Sequence, residues 1–192
     1  ITPPVTLPAT SPDAIKVVCV GRVSREKRTA VLIEAFLRLP KTSKMELFII
    51  GDGPDLDRCQ ELVESAHSEP KVHFMGNTPN SQTRELLMDA DVMALVSYRF
   101  DNQPMVILEA LAAGVGILYC DDQLQDGLTP DNALLVRHST HGIREGLIEL
   151  ENNPKLIKSL AKGSRRLAKK YSTEKVAKEV ESIYKRLIAR RP

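Results

Sequence analysis

The chain has 192 residues, 42% of them hydrophobic and 27% charged, enough for one globular domain that buries both faces of a sheet. A formal net charge of +2 excludes a general polyanion-binding field, nucleic acid included. Three cysteines, Cys19, Cys59 and Cys120, fall in no CxxC or Cys/His ligand spacing, which points to structural thiols in a reduced cytoplasmic compartment.

Residues 1–14, opening ITPPVTLPATSP, lack apolar periodicity and read as a linker or lead-in to a domain spanning 15–192. No methionine opens the chain, so a fragment of something longer is expected, with an ordinary mature N-terminus as the alternative. From Ile15 onward, short aliphatic runs alternate with amphipathic ones. IKVVCVG (15–21), MELFII (45–50), VHFMG (72–76), DVMALVS (91–97), GILYC (116–120) and ALLV (133–136) are nearly continuous in apolar residues, as strands buried on both faces are. Helical spacing marks 29–39, DLDRCQELVESA, SQTRELLMDA and PMVILEALAA between them. Three more helices are expected near 141–151, 154–169 and 172–189, the last capped by Ser172 or Thr173. Repeated strand–helix units predict a doubly wound, Rossmann-like α/β fold: a parallel sheet of about six strands followed by C-terminal helices.

In such sheets ligands gather outside the carboxyl ends of the strands, where helices begin and favour anions. Five loops therefore matter: 21–28, 51–54, 76–81, 97–104 and 121–132. In GRVSREKR, Arg22 and Lys27 stand five apart on a loop entering a helix, a pattern that fits a diphosphate or a solvated basic turn. GDGP (51–54) lacks the third glycine of the dinucleotide fingerprint, because position 56 is Leu56, and reads as a tight turn with Pro54 at the helix start. In SYRFDNQP (97–104), Pro104 suits the first helical position, leaving the amides of Met105 and Val106 free to meet a phosphate. Asp101 precedes that helix and Glu109 lies inside it, with seven residues between them. Each carboxylate can accept two hydroxyls of a vicinal diol. An acid set among Ile107, Leu108, Ala110 and Leu111 is costly unless it has a polar partner; its other reading is a solvent-facing position. Asp121 and Asp122 read as a solvated turn, with lining of the pocket as the alternative, and Asp131 with Asn132 as the turn before the last strand. His67, His73, His138 and His141 share no metal or triad spacing. Basic residues gather toward the C-terminus, among them Arg165, Arg166, Lys185, Arg186, Arg190 and Arg191. They read as solvated helix faces, with a membrane-surface patch as the second reading.

Taken in order, VGRVSREK…LIEAF, LFIIGDGP, VHFMGN, ADVMALVSYRFDNQPMVILEALAAG and DNALLV resemble the C-terminal, donor-binding half of GT-B glycosyltransferases of the large retaining family 4, also called group 1. The resemblance covers about residues 15 to 188.

The resemblance implies hexosyl transfer from a nucleotide-diphosphate sugar, UDP- or GDP-linked, with retention of configuration, no cofactor and no metal. Carried over position by position, Arg22 and Lys27 clamp the donor diphosphate with the amides of Met105 and Val106. Asp101 contacts the sugar, Glu109 the ribose, and Asn77 and Thr78 lie by the base. No residue of this half is a convincing catalytic base. The acceptor site of the family lies in an N-terminal domain absent from this chain, so the isolated chain is expected to bind donor without transferring sugar. A cytoplasmic protein, peripheral at the membrane if the basic patch serves that purpose, is the matching location. Three departures stand out: Asp101 for the usual glutamate, Arg28 where a glycine commonly follows the lysine, and Gly116 where proline is common. Alternatives are a non-catalytic sugar-nucleotide-binding module and a non-hydrolysing sugar-nucleotide epimerase. A phospho-acceptor receiver domain would need acids where this chain has Gly21 and Arg22.

Overall fold

The six apolar runs form six strands: β1 (Ile15–Val20), β2 (Met45–Ile50), β3 (Val72–Gly76), β4 (Val92–Leu95), β5 (Gly116–Tyr119) and β6 (Ala133–Leu135). A computed structural model describes residues 7, 8, 11–66 and 71–189, the side chains of 173 and 174 excepted. His67, Arg190, Arg191 and most of the lead-in lie outside the described residues. The strands make one sheet in the order β3-β2-β1-β4-β5-β6, and every pairing is parallel.

Parallel strands need crossovers, and helices supply them: α1 (Thr29–Leu37), α2 (Leu56–Ser65), α3 (Asn80–Met88) and α4 (Met105–Ala113). After β6 come α5 (Thr140–Asn152), α6 (Pro154–Ala168) and α7 (Thr173–Ala189). Strand side chains alternate between two cores. Val17, Leu47, Ile49, Val92 and Ala94 face the layer of α1, α2 and α5. Val18, Phe48, Ile50, Met93 and Leu95 face α3 and α4. Both faces are covered, which is why the strands read as nearly continuous apolar runs rather than alternating ones. Leu7, inside the expected lead-in, is buried in the second core, so that part of the lead-in packs on the domain.

α6 packs along β5 and against α4, and a Cβ at Gly116 would sit 2.8 Å from the Leu160 Cβ. Glycine at that departure position therefore permits the close approach of α6. Ser172 Oγ accepts from the Lys175 amide at 3.3 Å and caps α7. α7 itself displays Val176, Val180, Ile183, Tyr184, Leu187 and Ile188 at helical spacing, each 45–69% exposed. Among the described residues no helix is long and apolar enough to cross a membrane.

Strand order reverses between β1 and β4. The chain winds outward from β1 to β3, returns to the centre, then winds the other way through β6. The chain leaves β1 for a helix on one face and β4 for a helix on the other, and at such a switch point the crevice between the loops is where doubly wound sheets hold ligands.

Candidate functional site

One wall of the crevice continues the hydrogen bonding of the sheet past the strand ends. The Gly21 amide donates to Ile50 O at 3.0 Å, Val23 to Asp52 O at 3.0 Å, and Gly51 to Gly76 O at 2.7 Å. Gly51 has φ 141° and lies so close to the preceding loop that a Cβ there would fall 1.9 Å from Gly21 O; one at Gly53 would fall 2.3 Å from Val23 O. GDGP is thus a packing turn, as its sequence suggests. α2 starts at Leu56, so Pro54 belongs to the turn before it rather than to the helix start.

The loop after β1 carries the cations. Arg22 is exposed and makes no ion pair among the described residues. The Glu26 carboxyl on the same loop is held below the usual carboxylate range, by its own backbone amide first, then by the Ser24 hydroxyl, with smaller help from the Arg22 and Lys27 charges. Lys27 reaches across the switch point. Its ammonium donates to Asp101 Oδ1 at 2.6 Å and lies 5.4 Å from the centre of the Phe100 ring. Asp101 Oδ2 accepts from the buried Ser97 hydroxyl at 2.5 Å. Both oxygens of Asp101 are therefore engaged, one by a charge and one by a hydroxyl.

Arg28 closes the loop. It adopts a left-handed conformation, φ 58° and ψ 29°, at the start of α1. Its guanidinium donates to Val96 O at 3.2 Å and to His138 O, and approaches Cys120 Sγ at 3.7 Å. The backbone shape that a glycine would take is thus kept by an arginine whose side chain ties down the loops after β4, β5 and β6. On the sequence Arg28 was only a departure from the usual glycine; nothing in a basic turn marks one arginine as a clasp.

The opposite wall is the β4–α4 loop. Arg99, with φ 51°, donates its amide to Asp121 Oδ2 at 2.6 Å, and the Gln123 amide donates to Asp121 Oδ1 at 3.1 Å. Asp121 is 1% exposed, so the expectation of a solvated turn is corrected. Its carboxylate is buried because two backbone amides from separate loops need an acceptor there. Asp122 is exposed. Asn132 is fully buried and bonds Thr129 and Gly127, while the exposed Asp131 pairs with Arg166.

α4 begins one residue later than the sequence suggests. Pro104 is its N-cap, with φ −69° and ψ 125°, and Met105 is its first residue. A proline in the extended conformation supplies the cap carbonyl, which accepts the Ile107 amide at 3.0 Å. No side chain caps the helix, and among the described residues no acceptor meets the amides of Met105 and Val106. One turn further along, Glu109 is half-buried beside the fully buried Ala110 and Leu111. Among the described residues no hydrogen bond or ion pair engages its carboxylate. That contrasts with Asp101, and such a group has a use for a polar ligand.

Asn77 is exposed after β3, and Thr78 Oγ1 shares a hydrogen bond with Thr83 Oγ1 at 2.8 Å. Two strand positions separate β3 from β1, about 10 Å at the usual spacing, and among the described residues no hydrogen bond links Asn77 or Thr78 to Arg22 or Lys27. The structure thus joins Lys27 to Asp101, sets Arg22 on the same loop, and gathers Met105, Val106 and Glu109 on the helix that follows. Ser97 was overlooked, since a serine ending a strand carries no distinctive signal.

Histidines serve elsewhere: His73 bonds Glu46 and stacks on Phe48, and His138 stacks on Tyr98 with ring centres 4.0 Å apart. Among the described residues no three of His, Cys, Asp and Glu form a group that could hold a metal ion. A cavity of ≈ 820 Å³ lies at the amino ends of the strands beside Ile15, Lys44, Asp91 and Glu151, and contains none of the crevice residues.

The chain as a whole is similar to known proteins. A curated relative, the alpha-monoglucosyldiacylglycerol synthase of Acholeplasma laidlawii, is 29% identical over 92% of this chain and 44% of its own length. The chain spans less than half the length of the first curated relatives it matches. Among solved structures, the Anabaena protein HepE in complex with UDP aligns with a TM-score of 0.73 at 16% identity, over 88% of this chain and 49% of that one. The C-terminal domain of a glycosyl transferase group 1 family protein from Francisella tularensis aligns with a TM-score of 0.72 at 23% identity, over 83% of this chain and 87% of that domain. Such likeness establishes one half of a GT-B fold. The profile of the family described as Glycosyl transferases group 1 matches residues 8–183, and the chain belongs to that family.

Proposed function

We propose that the chain supplies the donor-binding half of a hexosyltransferase that uses a nucleotide-diphosphate sugar. The observation that carries this reading is the half-buried Glu109, one turn from the amides of Met105 and Val106, with neither the carboxylate nor those amides partnered among the described residues. A carboxylate suited to a diol and a helix start suited to a phosphate stand on one helix, about one turn apart. Glu109 then holds the ribose, the helix start and the cations Arg22 and Lys27 hold the diphosphate, and Asn77 and Thr78 lie toward the base. Asp101 stands where the transferred sugar would lie. The UDP bound by the Anabaena fold relative supports a uridine nucleotide, with GDP as the other candidate.

As the glycosidic bond breaks, negative charge develops on the leaving diphosphate. Arg22, Lys27 and the α4 dipole oppose that charge, which is the task a metal performs elsewhere. None of the chain's residues near the crevice acts as a base toward an acceptor. The acceptor is bound by a partner domain, transfer proceeds with retention, and the isolated chain binds donor without turnover. Its unpaired cysteines suit the cytoplasm, and the basic C-terminal helices suit a peripheral membrane position.

One observation favours a second reading, a binding module without transferase activity: both oxygens of Asp101 are already taken. Calorimetric titration with UDP, GDP and their sugars separates the two. A donor that binds more tightly with its sugar than without supports the transferase; equal affinities support the module. No binding of either nucleotide would overturn both.

A further inference from the structure

We propose that Arg28 is a positioning residue that sets the spacing between Lys27 and Asp101, and so the grip on the diphosphate. The inference rests on the donor-binding reading given above.

Five groups form a closed circuit. Lys27 bonds Asp101, Asp101 bonds Ser97, Ser97 follows Val96 in the chain, Val96 O accepts from Arg28, and Arg28 follows Lys27. Two adjacent residues of one loop thus grip two points of the other. Consecutive Cα atoms are about 3.8 Å apart, so pinning Arg28 pins the root of the Lys27 side chain, and holding Val96 pins the root of Ser97. A lysine alone is a flexible tether and would not fix the width of the crevice. The second branch of the guanidinium holds His138 O, beyond β6, so the clasp is anchored from both sides. A planar fork with donors in two directions does this; an ammonium does not.

The backbone adds an independent argument. At φ 58° every residue with a Cβ carries a steric penalty, and glycine carries none. The contacts of the Arg28 side chain offset that cost, alongside the hydrogen bonds of its backbone. Arg28→Gly therefore removes the clasp while suiting the backbone, which makes it a clean variant; Arg28→Lys keeps the charge and loses the fork.

The test is calorimetric titration of the 192-residue chain and both variants with UDP against UMP, and GDP against GMP, with thermal melting alongside. In the wild-type chain the diphosphate binds more tightly than the monophosphate. In both variants that preference falls about tenfold, as expected for a displaced charge-assisted contact, while monophosphate affinity stays within a factor of about two. A merely structural role would weaken both nucleotides together and leave the ratio alone. An unchanged ratio in folded variants overturns the clasp and leaves the donor-binding reading standing. Should Arg28→Gly not fold, Arg28→Lys carries the same comparison. A wild-type chain that does not distinguish diphosphate from monophosphate overturns the donor-binding reading and the clasp together.

Discussion

Lys27 and Asp101 meet at 2.6 Å although 74 positions separate them in the chain and they leave the sheet on different loops. Their side chains are only 26% and 11% exposed, so solvent screens the pair weakly. A donor phosphate would compete with Asp101 for the same ammonium, which couples phosphate capture to release of the acid. Asp101→Asn should destabilise the fold by about 1–3 kcal/mol, the usual cost of an orphaned charged partner. UDP affinity should hold or rise, because Lys27 is no longer neutralised, while any added affinity from an attached sugar disappears. Denaturant unfolding and titration with UDP and UDP-sugar measure both. A loss of UDP affinity matching the loss of sugar affinity would contradict the assignment.

Glu109→Ala should weaken nucleotide binding by about 1–3 kcal/mol through lost charge-assisted hydrogen bonds. Its stability should change little or rise, since the carboxylate has no internal partner among the described residues. A folded variant with wild-type affinity would count against the ribose role.

Gly116→Ala should destabilise the chain by about 1–3 kcal/mol, because the new methyl group meets Leu160 Cβ at 2.8 Å in a packed interface. The site lies at the opposite end of β5 from the crevice, so nucleotide affinity should be unaffected in the folded protein. Chemical denaturation checks the first claim. A wild-type midpoint would mean that α6 yields without cost.

Cys59 and Cys120 are buried, and burial pushes both thiols from about 9 up to about 11; the Arg28 charge works the other way at Cys120. At pH 8 the folded chain should leave both unreactive toward a disulfide reagent, and denaturant should expose all three cysteines. Between about pH 9 and 11 the unfolded chain gives up protons that the folded chain keeps, so stability should fall as pH rises through that window. A midpoint rising with pH there would reverse the sign and contradict the burial argument.

The sheet and its helices were legible because a strand covered on both faces is apolar at nearly every position. IKVVCV and MELFII each carry a single charged residue, Lys16 and Glu46, in an otherwise apolar run too short for a typical helix. The candidate residues Arg22, Lys27 and Asp101 could be assigned to loops at strand ends, and Glu109 to the helix that follows, without knowledge of contacts. What stayed hidden depends on contacts between distant loops. Asp121 looks like any acid in a turn until the amides of Arg99 and Gln123 are found beside it. Arg28 looks like one more surface cation, and its value lies in carbonyls 68 and 110 positions away. Pro104 was misplaced by one residue because proline serves at a helix cap as readily as at its first turn.

The two sides of the crevice are made differently, and evolution will feel the difference. Around β1, β2 and β3 the main chain knits the rim together, so most side chains there can drift without moving it. Around β4, β5 and β6 the rim hangs on Arg28, Ser97 and Asp121, and a single codon change can shift it. Divergent tastes among near relatives should therefore trace to that second side, while the first stays a common anvil.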